Sequence, residues 1–430
     1  MKVFKNPPIE RWQELVERPQ LDLEFLESTV KNILARIKSG GDKALREITF
    51  QFDGVRIEDL KVSDTEINAA ETQLSPQLKK AIQVAASNIE KFHAEQLREV
   101  KVVETMPGVT CWRKGVPIEK VGIYIPGGTA PLFSTVLMLA IPAKLTGCKE
   151  VILCTPPDSN GNINPVILFA AQYTGITKIY KAGGAQAIAA MAYGTESISQ
   201  VSKIFGPGNQ YVTKAKHLVN QEGMAIDLPA GPSEVLVWAD ETAIPSFVAA
   251  DLLSQAEHGI DSQVMLVLTN NTILEKIEAE IVAQISKLPR KEIAEKALQN
   301  SRVAIFDSEN DALHFVNAYA PEHLIINTVN ADVLAEKITN AGSVFIGNYS
   351  PEAVGDYASG TNHTLPTNGF AKSYSGVSLE SFFKYITFQK ISTEGIKNIG
   401  PLVEVMAEAE QLQAHKEAVS VRLKFLNGIS

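Results

Sequence analysis

Cysteine is scarce in this sequence, and Cys111, Cys148 and Cys154 are the only three. Their number is odd and no two of them form a CxxC pair, which argues against a disulfide framework. Few cysteines without a pairing pattern are typical of proteins from a reducing compartment. We therefore expect a cytoplasmic protein.

Long hydrophobic runs are absent as well. No segment approaches the length of a membrane span, and the opening residues MKVFKNPPIERWQE lack the apolar core of a secretory signal. Positive charge is the minority sign, because 40 Lys and Arg residues stand against 49 Asp and Glu residues and leave a net charge of -9. This balance gives no reason to expect nucleic acid or an anionic membrane as a partner.

The chain does contain a series of short apolar runs rich in Val and Ile. Helical patterns separate most of them, which is the signature of parallel sheets with helices on both faces. The runs are VGIYI, EVILC, TKIYKA, KIFG, EVLVWA, QVMLVL, RVAIF, HLIIN and SVFIG. They are too many for one sheet of usual size, and 430 residues are too many for one core. We predict two α/β domains that meet near the Gly- and Pro-rich segment 227–234.

The alternating pattern ends after Ser381. The remaining residues predict one strand-like piece and two helices, with no sheet of their own to pack on. A tail of this kind usually docks on something else, and a second subunit is one candidate.

The segment 347–369, GNYSPEAVGDYASGTNHTLPTNG, holds four glycines and two prolines among small polar residues. This composition disfavours a continuing helix or a central strand. The segment also carries Glu352, Asp356, Tyr357 and His363, which are residue types that bind metals or move protons. Because such long loops are usually functional or disordered, and apolar runs flank this one, we predict an ordered active-site loop.

Three Gly-rich turns each follow a predicted strand, at residues 124–135, 182–187 and 205–211. Backbone amides at such turns favour a phosphate, and the carboxyl ends of parallel strands lie at one edge of a sheet. Each turn alone is explained by the need for Gly in a tight turn, and the G-x-G-x-x-G fingerprint is absent. Together the turns favour a nucleotide site.

Two pairs of residues suit catalysis or metal binding. Gln255 and His258 lie three apart on a predicted helix that ends at Gly259, so both can reach one ligand, although His258 could simply complement the helix dipole. Glu322 and His323 are adjacent just before a predicted strand, where they could transfer protons or form a solvated turn.

Other candidates have weaker local patterns. Glu410 and His415 lie five apart on a predicted helix, where a polar helix face is the simpler interpretation. Cys154 could be a nucleophile, but no basic residue close in sequence lowers its pKa, and free cysteines are more often buried and inert. His258, His323, His363 and His415 each have a carboxylate or amide nearby, a donor set that suits catalytic zinc.

The longer motifs together resemble one family. They are VGIYIPGGTAPLFSTVLMLAIPAKLTGC, AGGAQAIAA, KIFGPGN, DLPAGPSE, DLLSQAEHG, YAPEHL and GDYASGTNHTLPT, and they are similar to those of histidinol dehydrogenases from about residue 25 to residue 416. The resemblance implies an NAD-dependent oxidoreductase that oxidises L-histidinol through L-histidinaldehyde to L-histidine, with two NAD and one zinc ion per subunit. It also implies two Rossmann-like doubly wound domains in an aldehyde-dehydrogenase-like arrangement.

Roles for individual residues follow from the resemblance alone. The implied zinc ligands, which also contact substrate, are Gln255, His258, Asp356 and His415. The implied acid/base pair is Glu322 and His323, of which His323 also contacts substrate. Further implied substrate contacts are Ser233 and Glu410, with His363 a weaker candidate for the same pocket. The implied NAD contacts, one in each Gly-rich turn, are Tyr124, Gln186 and Asn209.

The resemblance also implies a homodimer in which the tail crosses to the partner and completes its site. The domains expected from it are an N-terminal arm (1–23), a catalytic α/β domain in two segments (24–123 and 231–380), an NAD-binding α/β domain (124–230) and the swapped tail (381–430). Two other classes remain open on the residues themselves: a zinc hydrolase without a nucleotide, and a two-lobed α/β binding protein without chemistry.

Overall fold

Two units of the chain fold around separate sets of contacts. The computed structural model describes residues 1–18, 23–127, 131–228 and 231–428. The main unit comprises Met1–Glu95 and Ile118–Ser381, and the tail unit comprises Gln96–Pro117 and Phe382–Ser430.

The strands are β1 (Lys2–Lys5), β2 (Val102–Met106), β3 (Val109–Pro117), β4 (Lys120–Tyr124), β5 (Glu150–Thr155), β6 (Lys178–Lys181), β7 (Lys203–Phe205), β8 (Ala225–Ile226), β9 (Glu234–Ala239), β10 (Gln263–Leu268), β11 (Arg302–Ile305), β12 (His323–Asn327), β13 (Ser343–Ile346) and β14 (Phe383–Ile391). The helices are α1 (Trp12–Val16), α2 (Leu23–Asp53), α3 (Asp64–Ala70), α4 (Pro76–Ala94), α5 (Phe133–Thr146), α6 (Pro165–Thr174), α7 (Gly184–Tyr193), α8 (Gln210–Gln221), α9 (Pro245–Ala256), α10 (Leu274–Ile285), α11 (Lys291–Gln299), α12 (Glu309–Tyr319), α13 (Ala331–Ala335), α14 (Glu352–Tyr357), α15 (Thr393–Ala409) and α16 (Gln413–Leu426).

The first half of the main unit is built on a five-stranded sheet of order β6-β5-β4-β7-β8, in which every pairing is parallel. Local sequence sets its helix ends. In α6, for example, the Asn164 side chain accepts from the Val166 amide, Pro165 occupies the first turn, and Gly175 ends the helix in the left-handed conformation. The core between sheet and helices is Ile-, Val- and Ala-rich.

The second half is a six-stranded parallel sheet of order β1-β11-β10-β9-β12-β13. The chain builds outward from β9 to β10 and β11, then crosses to β12 and β13 on the other side of β9. Strands β9 and β10 are buried along their whole length. Separate apolar clusters cover the two faces of this sheet. This is a doubly wound sheet, so the predicted fold class is confirmed, as are all the strands expected from the apolar runs.

Helices α2 to α4 depart from the expected domain assignment. Residues 24–123 are predicted to belong with the catalytic half, but apolar side chains of α2 lie in the core of the five-stranded sheet, α3 packs on α6, and α4 packs on α5. The amphipathic pattern of a helix identifies its buried face but not the sheet that receives that face. The expected boundaries at residues 23 and 230 lie at or beside residues outside the described ranges.

The tail unit has a sheet of its own, so that part of the prediction is wrong. Strand β14 pairs antiparallel with β3, which pairs with β2, and Trp112 stacks on Phe388 across the first pairing. The partner strands come from residues far earlier in the chain, which local sequence patterns do not reveal. Helices α15 and α16 pack against each other.

Within the described ranges, none of the helices combines the length and the apolar character needed to cross a lipid bilayer.

Candidate active site and cofactor cavity

The predicted acid/base pair lies at the amino edge of the six-stranded sheet. Glu322 directly precedes β12 and His323 is its first residue, while Ser233 directly precedes the neighbouring parallel strand β9. Glu322 and His323 are only 5% and 3% exposed. The solvated-turn alternative for this pair is therefore wrong.

The backbone N–H and carbonyl of Glu234 hold both side chains. Its N–H donates to Glu322 Oε2 at 2.9 Å, and its carbonyl oxygen lies 3.2 Å from His323 Nδ1. A carbonyl can only accept, so Nδ1 of His323 carries the proton of this hydrogen bond. The other ring nitrogen, Nε2, lies 3.5 Å from Asp356 Oδ1 and has no hydrogen-bond partner in the described structure.

Two carboxylates on α14 face the same imidazole. Glu352 Oε1 lies 3.6 Å from His323 Nδ1, and ligand atoms of His323, Glu352 and Asp356 all lie within 4.8 Å of one another. Glu352 and Asp356 lie one helical turn apart, so they share a face of α14. Although burial disfavours the imidazolium, the carboxylates of Glu352, Glu322 and Asp356 raise the pKa of His323 well above its usual range.

Burial also changes the acids. Desolvation raises the pKa of Glu322 to about 8, because the carboxylate is removed from water, and the hydrogen bond from the Glu234 N–H opposes this shift only in part. Desolvation raises the pKa of Glu352 as well. Asp356 is less enclosed, and the neighbouring histidines hold its pKa below the usual value in spite of desolvation. Carboxylates whose pKa values are shifted in opposite directions around one histidine are characteristic of acid–base sites.

Gln255 and His258 lie at the same end of the sheet, because α9 runs back from the carboxyl edge of β9. Helix α9 packs against α14 and ends at Ala256, two residues before His258, so the predicted helix end at Gly259 is wrong. Gln255 is fully buried, and neither Oε1 nor Nε2 has a hydrogen-bond partner among the described residues. The imidazole of His258 reaches the surface and lies within electrostatic range of Asp356 and His323.

The unsatisfied polar atoms provide a test of whether these residues suit a metal. A buried amide, imidazole nitrogen or carboxylate oxygen without a partner costs free energy, typically about 1–3 kcal/mol per group. His323 and Glu352 each carry such an atom in this site, and Gln255 carries two on helix α9, which packs against α14. Oxygen and imidazole donors of this kind suit zinc, and a bound cation would satisfy them. The donor set therefore fits a divalent metal.

His363 links this site to the other half of the main unit. Its Nδ1 lies 2.8 Å from the carbonyl oxygen of Asp356, and its Nε2 lies 3.1 Å from Thr135 Oγ1 on α5. Helix α5 begins at Phe133, within the first Gly-rich segment. His363 thus touches the backbone of a candidate metal ligand and the helix that leads away from the candidate cofactor turn.

The segment 347–369 is ordered, as predicted, but it contains the short helix α14 directly after Pro351. Because the sequence composition disfavours a helix here, it does not predict that Glu352 and Asp356 share a helix face, and Glu352 is absent from the predicted site. The spacing of the two acids at i and i+4 is the signal that a helix prediction would have turned into a shared face.

Glu410 and His415 belong to the tail unit. The prediction that they lie on one helix is wrong. Helix α15 ends at Ala409, Gln411 adopts a positive φ of 59°, and α16 begins at Gln413. Both side chains are exposed at this turn. The structure therefore brings His258, Glu322, His323 and Asp356 together, and it presents Glu410 and His415 at the surface of the tail unit.

The three Gly-rich turns do gather, at the carboxyl edge of the five-stranded sheet. A cavity of about 670 Å³ opens there, and Tyr124, Gln186 and Asn209 all line it. The Tyr124 hydroxyl accepts from the Gly184 amide at 3.0 Å, and the Asn209 side chain accepts from the Val212 amide at the start of α8. Residues 128–130 of the first turn lie outside the described ranges.

Gly206 shows why the third turn needs glycine. Its φ of +126° lies in a region that side chains rarely adopt, and a Cβ there would lie 2.1 Å from the carbonyl oxygen of Tyr124. The turn can therefore approach β4 closely only without a side chain. A cavity of this size at the carboxyl ends of parallel strands is the usual location of a nucleotide in such sheets.

Cys154 is a poor candidate for a nucleophile. It lies fully buried on β5, and desolvation raises the pKa of its thiol to about 12. A thiolate is the reactive form, and it is disfavoured here at neutral pH. The interpretation of Cys154 as an inert core residue stands.

The family model described as histidinol dehydrogenase matches residues 16–423. A histidinol dehydrogenase of Bacteroides thetaiotaomicron is 60% identical over 426 residues, which are 99% of this chain and 100% of that protein. A chloroplastic histidinol dehydrogenase of Arabidopsis thaliana is 53% identical over 413 residues, covering 95% of this chain and 88% of the plant protein.

A solved structure agrees with these matches. The crystal structure of histidinol dehydrogenase from Elizabethkingia anophelis superposes with a TM-score of 0.97 at 58% sequence identity, covering 99% of both chains. Similarity of this extent includes the sheets, the segment 347–369 and the tail.

Proposed function

This chain belongs to the histidinol dehydrogenase family, and on that premise we propose that it oxidises L-histidinol through L-histidinaldehyde to L-histidine. The reaction would consume two NAD and use one zinc ion per subunit, as the last step of histidine biosynthesis. The observation that carries the proposal is the buried Glu322–His323 pair, held by the backbone N–H and carbonyl of one residue, Glu234, and lying beside the carboxylates of Glu352 and Asp356.

Zinc would be held by Gln255, His258 and Asp356, with His415 of the partner subunit as a further ligand. The fully buried, unpartnered amide of Gln255 supports this set. Zinc, when bound, would orient the substrate and polarise it as a Lewis acid. His323, Glu352 and Asp356 form a competing donor set, since their atoms also cluster.

His323 is proposed to take the proton of the substrate hydroxyl at Nε2 as the first hydride leaves for NAD. Because the surrounding carboxylates raise the pKa of His323, the neutral ring that accepts this proton is favoured at alkaline pH. Its Nδ1–H is held by the carbonyl of Glu234, so the ring keeps one orientation and one tautomer. The carboxylate of Glu352 would stabilise the imidazolium that forms. Ser233, at the start of β9, and His363 lie where they could contact the substrate.

Glu322 is proposed to activate the water that attacks the aldehyde. The hydrate that forms then gives its hydride to a second NAD. A carboxylate with a pKa raised to about 8 is a better base near neutrality than an ordinary glutamate. The aldehyde would remain in the site between the two steps.

Glu322→Gln should therefore separate the two oxidations. The amide keeps the size of the side chain but cannot take a proton, so we expect oxidation of histidinaldehyde to fall by about 10²-fold or more while the first hydride transfer is nearly unchanged. Rapid-quench or stopped-flow measurement of the two hydride transfers would check this. Equal loss in both steps would contradict the proposed role of Glu322.

Tyr124, Gln186 and Asn209 are proposed to contact NAD in the cavity at the carboxyl edge of the five-stranded sheet. Support comes from their shared location in that cavity, one from each Gly-rich turn. A 670 Å³ cavity is within the range of small-molecule sites.

The direct test of the function is the amount of NADH formed per L-histidinol consumed by zinc-loaded protein, followed to completion. We expect two NADH per substrate, loss of turnover with a chelator and recovery with zinc. One NADH per substrate would leave a dehydrogenase but contradict the hydration step. No NADH with metal-dependent hydrolysis would indicate a zinc hydrolase, and tight ligand binding without turnover would indicate a binding protein.

A homodimer with a shared site is proposed from the tail unit. Glu410 and His415 are exposed, and the helices that flank them expose large apolar side chains, namely Leu402, Val405, Met406 and Phe425. Apolar surface of this kind is typical of a subunit interface. Glu410 of the partner subunit would contact substrate. The free thiols of Cys111, Cys148 and Cys154 suit the proposed cytoplasmic location.

A further inference from the structure

Arg18, from the N-terminal arm, forms a buried ion pair with Glu234. Its Nε donates to Glu234 Oε2 and its Nη2 to Glu234 Oε1, both at 2.8 Å, which is a bidentate arrangement. The two side chains are only 8% and 1% exposed. A buried ion pair of this kind costs free energy to desolvate. Removing one partner strongly destabilises the folded protein, because the other charge is left buried without compensation.

Three further contacts fix the Arg18 guanidinium. It lies 3.7 Å from the centre of the Tyr319 ring, Nη2 also donates to the Tyr319 carbonyl at 2.8 Å, and Nη1 donates to the Val16 carbonyl at 2.7 Å. The Tyr319 hydroxyl in turn donates to Gln263 Oε1 at 2.8 Å. The arm, α12 and β10 thus hold one rigid cation against Glu234.

Glu234 is also the residue whose backbone N–H and carbonyl hold the acid/base pair. Its N–H donates to Glu322 and its carbonyl accepts from His323, so the side chain and the backbone of one residue face two different networks. A change in the position of the Glu234 carboxylate would shift the backbone of the same residue. Hydrogen bonds to Glu322 and His323 would then lengthen or bend.

We propose that Arg18 is a positioning residue for the Glu322–His323 pair, acting through the backbone N–H and carbonyl of Glu234. The inference rests on the proposed function, because it assigns to that pair the proton transfers of histidinol oxidation. Catalytic groups misplaced by about 1 Å can lose about 10²-fold in rate. Arg18 touches neither the metal donors nor the cavity of the cofactor, so its effect should appear in the chemistry and not in binding.

The test compares Arg18→Met and Arg18→Lys with the wild-type zinc-loaded enzyme. We expect Arg18→Met to lower kcat by about 10- to 100-fold, with KM for histidinol and for NAD changed less than about twofold and zinc content unchanged. Lysine keeps the charge but cannot form the bidentate contact, so Arg18→Lys should retain an intermediate kcat. If Arg18→Met does not fold, Arg18→Lys supplies the answer.

Arg302→Met is the matched control. Arg302 holds the same arm by donating to the carbonyls of Leu15 and Glu17, but none of its hydrogen bonds reaches Glu234. We expect this variant to lose thermal stability while kcat stays near the wild-type value. An equal fall in kcat in both variants, or an unchanged kcat in Arg18→Met, would overturn the proposal.

A spectroscopic signature separates this inference from the proposed function. In protein labelled with ¹⁵N-histidine, the Nδ1–H of His323 should give a signal typical of a hydrogen bond to a carbonyl. We expect Arg18→Met to shift or remove that signal and Arg302→Met to leave it in place. The signal does not depend on turnover, so an inactive wild type would refute the proposed function, while an unperturbed signal in Arg18→Met would refute the positioning role.

Discussion

His323→Asn is expected to lower kcat for histidinol oxidation by about 10²- to 10⁴-fold while the protein keeps its zinc. Asparagine can preserve a hydrogen bond to the Glu234 carbonyl through its amide, but it offers no basic nitrogen where Nε2 now lies unpartnered. Proton removal from the substrate hydroxyl would then fall to water. Steady-state rates together with metal analysis of the purified variant give both quantities.

The same experiment decides between the two donor sets of the site. If zinc is held by Gln255, His258 and Asp356, replacing His323 leaves the ligands intact. If His323, Glu352 and Asp356 hold the metal, as their spacing permits, the variant will be purified without it. His314→Asn is the matched control, because His314 is exposed on α12 and the same substitution there should change neither kcat nor zinc content.

Much of the fold was predictable because its signals are local. Val- and Ile-rich runs identified nine strands of the two parallel sheets, and the short strands β1 and β8 fall outside those runs. Pairing between distant segments was not predictable in this way. The three-stranded sheet of the tail unit joins β14 to β3, and no local pattern specifies that partner.

The site shows the same division. Residue types and spacing singled out Gln255, His258, Glu322 and His323, and the resemblance to a family supplied their implied roles. Burial, tautomer and unsatisfied atoms depend on which segments meet in space. The sequence therefore does not predict that the backbone N–H and carbonyl of Glu234 bind Glu322 and His323. Glu352 was missed for a local reason, since the loop-like composition of its segment hid a helix.

Two inactive variants are expected to regain activity when they are mixed, if the site is shared between subunits. His258→Asn removes a proposed ligand from the main unit, and His415→Asn removes one from the tail unit. In a dimer formed from one chain of each kind, one of the two sites has an intact His258 and an intact His415 from the partner, and the other site has neither. Random reassociation of equal amounts should therefore restore about a quarter of the wild-type activity, because about half of the dimers are mixed and half of their sites are intact.

The control mixes His258→Asn with Glu322→Gln, whose changes both lie in the main unit. Every site would then carry one defect, and the mixture should stay at the level of the separate variants. Dissociation and refolding of the mixed chains, followed by NADH formation from histidinol, measures both mixtures. If His258→Asn and His415→Asn fail to complement while wild-type chains treated in the same way recover, each site is completed by its own tail. The exposed position of His415 at the turn between α15 and α16 would then have to be explained by closure within one chain.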